Sequence, residues 1–175
     1  MKPKVFVLTL VLAAGIALGM LESQVLNAQQ TAKASAEQLI GTWTLFEVYY
    51  TTQDGARVDS LGVNPRGRLR LDADGSFTCQ IMRLGLPKFK SNNREKGTDE
   101  ENKAVVQGTI SYYGTYSINE AEQVLAMHIE ACSYPNFDGV DQKRPFTLKG
   151  DALSFINRNS SVAGSTVHQS WRRIK

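Results

Sequence analysis

A Gly-x-Trp motif begins the strand-like part of this chain, and two adjacent arginines lie close to its end. Gly41 and Trp43 open a long stretch rich in aromatic and β-branched residues, and Arg172 and Arg173 lie near the C-terminus of the 175-residue sequence. Cations pack favourably over an indole face. We therefore predict a sheet that curls until its first and last strands pair, with Trp43 plugging one end of the barrel and an arginine lying across its ring.

Turn signals divide residues 39–174 into short segments with strand character. Three dipeptides are typical of tight turns, namely Asp54-Gly55, Asp74-Gly75 and Gly150-Asp151. A capping box formed by Thr98 and Glu101 predicts one short helix that ends near residue 108. The expected strands cover residues 39–52, 68–71, 76–83, 110–118, 123–133, 145–149, 151–157 and 166–174. This spacing favours an all-β, closed up-and-down antiparallel β-barrel of about eight or nine strands over a parallel α/β sheet.

The N-terminal segment has the features of an export signal. Lys2 and Lys4 precede an apolar run, and Ala28 offers a small residue at which a signal peptidase could cut. Signal peptidase also prefers a small residue two positions before Ala28, where this chain has Leu26. A retained N-terminal anchor is therefore the alternative. We expect a signal peptide over 1–28, a polar lead-in over 29–38 and the barrel over 39–175, in a periplasmic or secreted protein with no membrane attachment after cleavage.

Charge and cysteine content limit the possible partners. Removal of Lys2, Lys4 and Glu22 with the signal segment leaves 18 basic and 16 acidic residues, a formal net charge of +2. This is too small to indicate a nucleic-acid partner, because such binding neutralises several phosphates at once. Two histidines and two cysteines exclude a cysteine-rich zinc module, and we expect neither a metal nor a cofactor. Cys79 and Cys132 could form a disulfide in an oxidising compartment or serve as small buried residues.

Several short blocks resemble a known family when taken in order. They are Leu39-Ile40-Gly41-Thr42-Trp43, Asn64-Pro65-Arg66-Gly67-Arg68-Leu69, Gln80-Ile81-Met82-Arg83, Tyr113-Gly114-Thr115-Tyr116, His128-Ile129-Glu130, Pro135-Asn136 and Gln142-Lys143-Arg144-Pro145-Phe146. Together they resemble the lipocalin-like domain family of bacterial and fungal proteins. The resemblance implies a calycin-type up-and-down barrel and says little about activity. Barrels of this size either fill their interior with side chains or hold one small ligand.

His128 and Glu130 are the candidates for proton-transfer chemistry. They lie two apart on an expected strand, so their side chains share one face, with Cys132 at the same parity. Inside a barrel they could act as a base and an orienting carboxylate, or they could line a ligand site. The alternative is a hydrogen-bonded pair that fixes a polar spot in the lumen or on the outside. His168 lies on the last expected strand, and nothing in its spacing indicates a metal site.

Four further side chains are candidates for holding a ligand. Tyr112 and Tyr116 combine apolar area with a hydroxyl group, and their alternative role is packing in the core or at the rim. Gln142 and Arg144 occupy alternate positions at the entry to a strand. A buried Arg144 would need a carboxylate, for which Glu130 is a candidate; the alternative is a salt bridge at the rim.

Three functions fit these observations. The first is a non-enzymatic binder that takes a small, hydrophobic or amphipathic molecule into the barrel lumen. The second is an isomerase or cyclase in which His128 and Glu130 move a proton. The third is a filled barrel that serves as a structural or interaction module. The sequence does not indicate an oligomeric state.

Overall fold

The structure is a computed structural model that describes residues 33–59, 61–162 and 164–175. The expected signal peptide over 1–28 and the first part of the lead-in lie outside the described residues. In chain order the elements are β1 (Gly41–Thr51), β2 (Arg57–Val58), β3 (Arg66–Leu71), β4 (Ser76–Met82), α1 (Asp99–Gly108), β5 (Thr109–Asn119), β6 (Val124–Cys132), β7 (Val140–Lys149), β8 (Ala152–Asn157) and β9 (Thr166–Arg173). Short 3₁₀ helices cover Ala36–Leu39, Arg94–Lys96 and Pro135–Phe137.

The strands form one antiparallel sheet that closes on itself. Its order is β2-β1-β3-β4-β5-β6-β7-β8-β9, and β1 also pairs with β9. That last pairing runs from Trp43 opposite Arg173 to Thr51 opposite Thr166. The two-residue strand β2 pairs with the end of β1 outside the ring of the other eight strands. The predicted closed up-and-down barrel is confirmed.

Trp43 and Arg173 close one end of the barrel. Trp43 is fully buried, and its indole N–H donates to the carbonyl of Leu39 at 3.0 Å. The guanidinium carbon of Arg173 lies 4.1 Å from the centroid of the Trp43 ring, and Nη1 donates to the carbonyl of Ile40 at 2.8 Å. Gly41 makes room for this guanidinium, because a Cβ there would lie 2.7 Å from Arg173 Nη1.

Arg172 takes no part in this closure. Its guanidinium carbon lies 3.9 Å from the ring centroid of Phe46, on the outer surface. Phe46 is the extra residue of a β-bulge in β1, and its side chain is 57% exposed. Of the two arginines expected over Trp43, the structure therefore assigns that place to Arg173.

The end of the polar lead-in packs against the barrel. The backbone N–H and carbonyl of Ala34 bond to the side chain of Gln123, each at 2.9 Å. The N–H of Ala36 donates to the carboxylate of Glu120 at 2.6 Å, and Leu39 is fully buried. The compact unit of the described chain begins at Ala34.

A β-bulge between β5 and β6 decides which side chains of β6 point inward. Tyr113 pairs with Ala131 and Gly114 pairs with Ile129, so Glu130 is the extra residue. Gly114 is required here, because a Cβ at this position would lie 2.0 Å from the carbonyl oxygen of His128. The bulge breaks the strict alternation of the strand.

Helix α1 begins as the capping box predicts. The hydroxyl of Thr98 accepts from the N–H of Glu101 at 3.3 Å, and the Glu101 carboxylate accepts from the N–H of Thr98 at 3.0 Å. Glu101 also accepts from the N–H of Lys90 at 3.0 Å, which attaches the preceding loop to the helix. The N–H of Arg83, which directly follows β4, donates to the carbonyl of Gly108 at 2.7 Å, so the C-terminal end of the helix is fixed to the barrel. Neither α1 nor any other described helix is long and apolar enough to cross a membrane.

Strand β7 begins five residues earlier than expected, at Val140 instead of Pro145. Residues 140–145 of β7 pair with β6, whereas its pairing with β8 covers only residues 146–149. Pro145 therefore has no ladder partner on the β8 side, and a strand tolerates proline where one edge is unpaired.

Candidate ligand site at the barrel mouth

The end of the barrel opposite Trp43 has an open cleft of about 620 Å³, called the mouth cleft here. Its walls are mainly apolar and include Tyr50, Leu61, Val105, Val106, Ile110 and Val162. Helix α1 supplies Val106, whose side chain is 76% exposed at the rim. A volume of this size is within the range of known small-molecule sites.

A second and smaller pocket of about 30 Å³, the inner pocket, lies inside the barrel below the mouth cleft. The two spaces share Tyr50, Leu61, Ile110 and Ser161 in their walls. About 30 Å³ is enough for one or two water molecules or one small polar head group. Large side chains such as Trp43 and Trp171 fill the interior towards the closed end. The ligand-sized space therefore lies at the mouth, whereas the binder hypothesis placed the molecule in the barrel lumen.

The polar wall of the inner pocket leads to a buried arginine. Arg144 is 1% exposed, and its Nη1 donates to the hydroxyl of Tyr112 at 2.9 Å. Its Nη2 donates to Oε1 of Gln142 at 2.6 Å. The same Gln142 oxygen accepts from Nδ2 of Asn157 at 2.9 Å. We call these four residues the Arg144 cluster, and two of them, Tyr112 and Asn157, line the inner pocket.

The Arg144 cluster also closes a gap in the sheet. Backbone pairing between β7 and β8 stops at Phe146 and Phe155. Nearer the mouth, the side chain of Asn157 reaches Gln142 and also donates to the carbonyl of Asn159 at 3.0 Å. Side-chain hydrogen bonds thus replace backbone ones at this place.

Within the described part of the chain, three buried side-chain polar atoms have no hydrogen-bond partner. They are Nε of Arg144, Oε1 of Gln169 and Nε1 of Trp171. Leaving such a group unpaired costs about 1–3 kcal/mol. Gln169 lines the inner pocket, and Arg144 bonds to Tyr112 in its wall. Of these three atoms, only Oε1 of Gln169 belongs to a residue that lines the inner pocket, where a bound molecule could donate to it.

The groups around Arg144 are uncharged near neutral pH. Burial raises the pKa of Cys79 to about 11, against smaller opposing effects of its hydrogen bond with Tyr112 and of the Arg144 charge. Burial also raises the pKa of Tyr112, so its hydroxyl keeps its proton. The hydrogen-bond partners of Arg144 are a hydroxyl and an amide oxygen. This corrects the expectation that Glu130 supplies a carboxylate to it.

The six side chains proposed as ligand contacts do not come together. Tyr112, Gln142 and Arg144 meet in the Arg144 cluster. Tyr116 lies towards the closed end, where it is half-buried and its hydroxyl donates to the carbonyl of Asp72 at 2.7 Å.

His128 and Glu130 face solvent on the outer surface of the barrel. Their inward-facing neighbours are Met127 and Ile129, which are almost fully buried. Nδ1 of His128 lies 2.7 Å from Oδ1 of Asp141, and the His128 side chain is 49% exposed. This corrects the interpretation that the pair lines the interior; a reaction inside the barrel cannot use it.

Cys79 and Cys132 are free thiols that face the interior from neighbouring positions. Cys79 pairs with Tyr112 from one side and Cys132 pairs with it from the other. The two cysteines are therefore two strand spacings apart, roughly 9–10 Å. A disulfide needs Cα atoms within about 7 Å. The possible disulfide is thus not formed.

His168 belongs to a separate group on the outer face. Its ring stacks on Tyr49 with centroids 4.6 Å apart, and Nε2 lies 3.0 Å from the hydroxyl of Thr51. Partial burial, and then the nearby charge of Arg57, lower the pKa of His168.

Sequence reasoning missed Leu61, Asn157 and Gln169. Asn157 and Gln169 occupy inward positions on β8 and β9, where their neighbours on the same face are apolar. A polar residue in such an alternating run is a signal that could have found both. Leu61 lies in a loop with no periodic pattern, so only the structure shows that it is buried at the mouth.

A closed eight-stranded ring, plugged at one end and open to a ligand-sized cleft at the other, defines a small calycin-type barrel. A profile of the lipocalin-like domain family matches residues 40–174, so the chain belongs to that family.

Among curated proteins, the chain is similar to the 4'-hydroxy-3'-methoxypropiophenone carrier protein ppsC of Aspergillus oryzae. The two are 28% identical over 108 aligned positions, and the alignment covers 56% of this chain and 96% of the relative.

Two solved structures are similar at low identity. A protein from Bacteroides eggerthii is 16% identical with a TM-score of 0.39, over 77% of this chain and 98% of that one. The REP1-NXSQ fatty acid transporter is 12% identical with a TM-score of 0.38, over 80% and 98%. At these values the similarity carries no information on function.

Proposed function

We propose that this protein is a non-enzymatic carrier of a small, largely apolar molecule that binds at the barrel mouth. The observation that carries the proposal is the apolar mouth cleft leading into an inner pocket whose lining includes Gln169, with its unpaired Oε1. Ligand sites are typically apolar with a few placed polar groups. The apolar body of the ligand would contact Val105 and Ile110, and its polar group would reach Tyr112 and Gln169.

The comparison with a carrier protein supports a binding role. The cargo in that relative's name is a small aromatic molecule with several polar substituents. A molecule of this size and mixed polarity is compatible with a cleft of about 620 Å³.

The proposal includes export from the cytoplasm, for which the support is the sequence of residues 1–28. A basic start, an apolar run and Ala28 together favour secretion with cleavage. Mass measurement of the intact protein from its own host tests this directly. Export with cleavage predicts a mature N-terminus at Gln29, and a full-length chain in the cytoplasm would contradict it.

Native mass spectrometry of protein from the host compartment tests the carrier role. We expect a protein ion with an added small-molecule mass. Val105→Trp would place a large ring in the mouth cleft, and we expect the bound fraction to fall at least tenfold. Val58→Trp on β2 is the matched control, because Val58 is exposed and does not line the mouth cleft. We expect this variant to keep the added mass. A wild-type protein that carries no adduct and also binds no N-phenyl-1-naphthylamine would overturn the proposal.

A second candidate function is an interaction module with a filled barrel. It is favoured by the fully buried side chains that occupy the interior towards the closed end and by the exposed Val106 at the rim. This role predicts a co-purifying protein in place of a small molecule, and the same mass measurement separates the two. The isomerase or cyclase alternative loses its support, because His128 and Glu130 face solvent.

A further inference from the structure

We infer that the molecule bound at the mouth is an organic acid, and that Arg144 supplies the positive charge opposite its anionic oxygen group. The inference rests on the proposed carrier function and narrows its ligand class.

Arg144 is almost fully buried, and its charge is permanent. Nη1 and Nη2 each donate to a neutral oxygen, whereas Nε has no partner among the described residues. The arginine is therefore short of both a hydrogen-bond acceptor and a countercharge.

The surroundings of the Arg144 cation compensate its charge only in part. The rings of Tyr112 and Phe155 lie 5.3 and 5.4 Å from the guanidinium carbon, which offers partial compensation. Cys79 and Cys132 lie nearby as thiols whose pKa is raised by burial. The buried carboxylate of Glu101 is engaged at the start of α1, where it accepts from Thr98 and Lys90. An unmatched positive charge in an apolar interior is costly and attracts an anion strongly.

Tyr112 connects the ligand space to the Arg144 cation. Tyr112 lines the inner pocket, and its hydroxyl accepts from Arg144 at 2.9 Å. The same hydroxyl also hydrogen-bonds with the thiol of Cys79, so a ligand oxygen in the pocket would compete with that sulfur for the hydroxyl. The guanidinium is thus one side chain away from the pocket, and its field acts across Tyr112. The inner pocket has room for one small head group while the apolar body occupies the mouth cleft.

The test compares an acid with its neutral amide. N-phenyl-1-naphthylamine reports occupancy of the cleft by its fluorescence, and 1-naphthaleneacetic acid and 1-naphthaleneacetamide are titrated to displace it. The two competitors have the same ring system and nearly the same size. At pH 7.5 we expect the acid to displace the probe at a concentration at least tenfold lower than the amide does.

Three variants locate the charge. In Arg144→Gln we expect the tenfold acid preference to fall to about twofold or less. Lys143→Gln removes a positive charge from the next residue, which faces solvent on the same strand, and it should keep the preference. Arg83 lines the mouth cleft, so Arg83→Gln shows whether a cation at the entrance accounts for the effect instead.

Gln142→Glu keeps the test decisive if Arg144→Gln does not fold. It places a carboxylate where Gln142 Oε1 already accepts from Arg144. We expect this internal anion to remove the acid preference and to raise the melting temperature. Three results would overturn the inference about Arg144 while leaving the carrier function standing. They are equal displacement by acid and amide in the wild type, an acid preference that survives Gln142→Glu, and an acid preference that disappears in Arg83→Gln. A wild-type protein that binds neither probe nor competitors overturns the carrier function as well.

Discussion

The guanidinium carbon of Arg173 lies 4.1 Å from the centre of the Trp43 ring, and this contact joins the last strand of the barrel to the first. Arg173 also donates to the backbone carbonyls of Gln38 and Ile40, which precede the first strand. The Arg173 side chain therefore holds the closed end of the barrel together, because it contacts both the Trp43 ring on β1 and the backbone that precedes β1.

Truncation of the plug should be strongly destabilising. We expect Trp43→Ala to lower the free energy of unfolding by about 3–5 kcal/mol, because a fully buried aromatic side chain leaves a cavity. Urea unfolding followed by circular dichroism measures it. Phe46→Ala on the outer face is the control, with a much smaller expected loss. An unchanged unfolding curve for Trp43→Ala would rule out its role as the plug.

The two C-terminal arginines should behave differently despite being adjacent. Arg173→Gln removes charged hydrogen bonds to backbone carbonyls, so we expect a loss of about 1.5–3 kcal/mol. Arg172→Gln removes only the surface contact with Phe46 and should change stability by less than about 0.5 kcal/mol. Equal losses in the two variants would contradict the assignment.

Gly114 is predicted to be intolerant of any side chain. An added methyl group would lie 2.0 Å from the carbonyl oxygen of His128, and backbone atoms cannot move away easily. We expect Gly114→Ala to cost about 3 kcal/mol or more, at or above the upper end of overpacking effects. Gly139→Ala is the control, because Gly139 has φ +74° but open space around it. A thermal melt of both variants decides the matter, and Gly114→Ala should melt well below Gly139→Ala.

Both cysteines should remain reduced even in protein purified from an oxidising compartment. The geometry separates Cys79 and Cys132 by two strand spacings, and burial raises the pKa of Cys79 to about 11. Alkylation without a reducing agent should label both thiols after denaturation and leave Cys79 unlabelled in the folded protein. Detection of an intact Cys79–Cys132 disulfide peptide would show that the register is different.

His168 should make stability depend on pH below neutrality. Its folded-state pKa lies below the ordinary value of about 6.5, so folding favours the neutral ring. The stability it contributes is present above about pH 6.5 and is lost as pH falls through the lowered pKa. We expect His168→Phe, which can still stack on Tyr49, to flatten stability between about pH 7 and 5. An NMR titration of His168 checks the shift, and Arg57→Gln should move the midpoint upward.

The fold could be predicted because its signals are local. Turn dipeptides, a capping box and the Gly-x-Trp motif each depend on a few neighbouring residues, and all appear at the expected places. The start of β7 could not be predicted, because Pro145 normally indicates the end of a strand and only the missing β8 partner explains it.

The site was harder to predict because it depends on contacts across strands. Arg144 and Tyr112 are identifiable as candidates from their residue types, but their hydrogen bond joins positions far apart in the chain. His128 and Glu130 have the same parity as the inward-facing Cys132, and the sequence does not mark the bulge at Glu130 that places the pair on the opposite face. Asn157 and Gln169 become functional candidates only when the inner pocket is seen.

The pairing of β1 with β9 also constrains how the chain is made. Until Thr166–Arg173 has left the ribosome, β1 and β8 have no neighbours on one side each. Unpaired strand edges are the sites at which nascent proteins aggregate. A premature stop codon before the final strand would therefore do more than shorten the protein, because it would leave an open sheet with two unpaired, aggregation-prone edge strands.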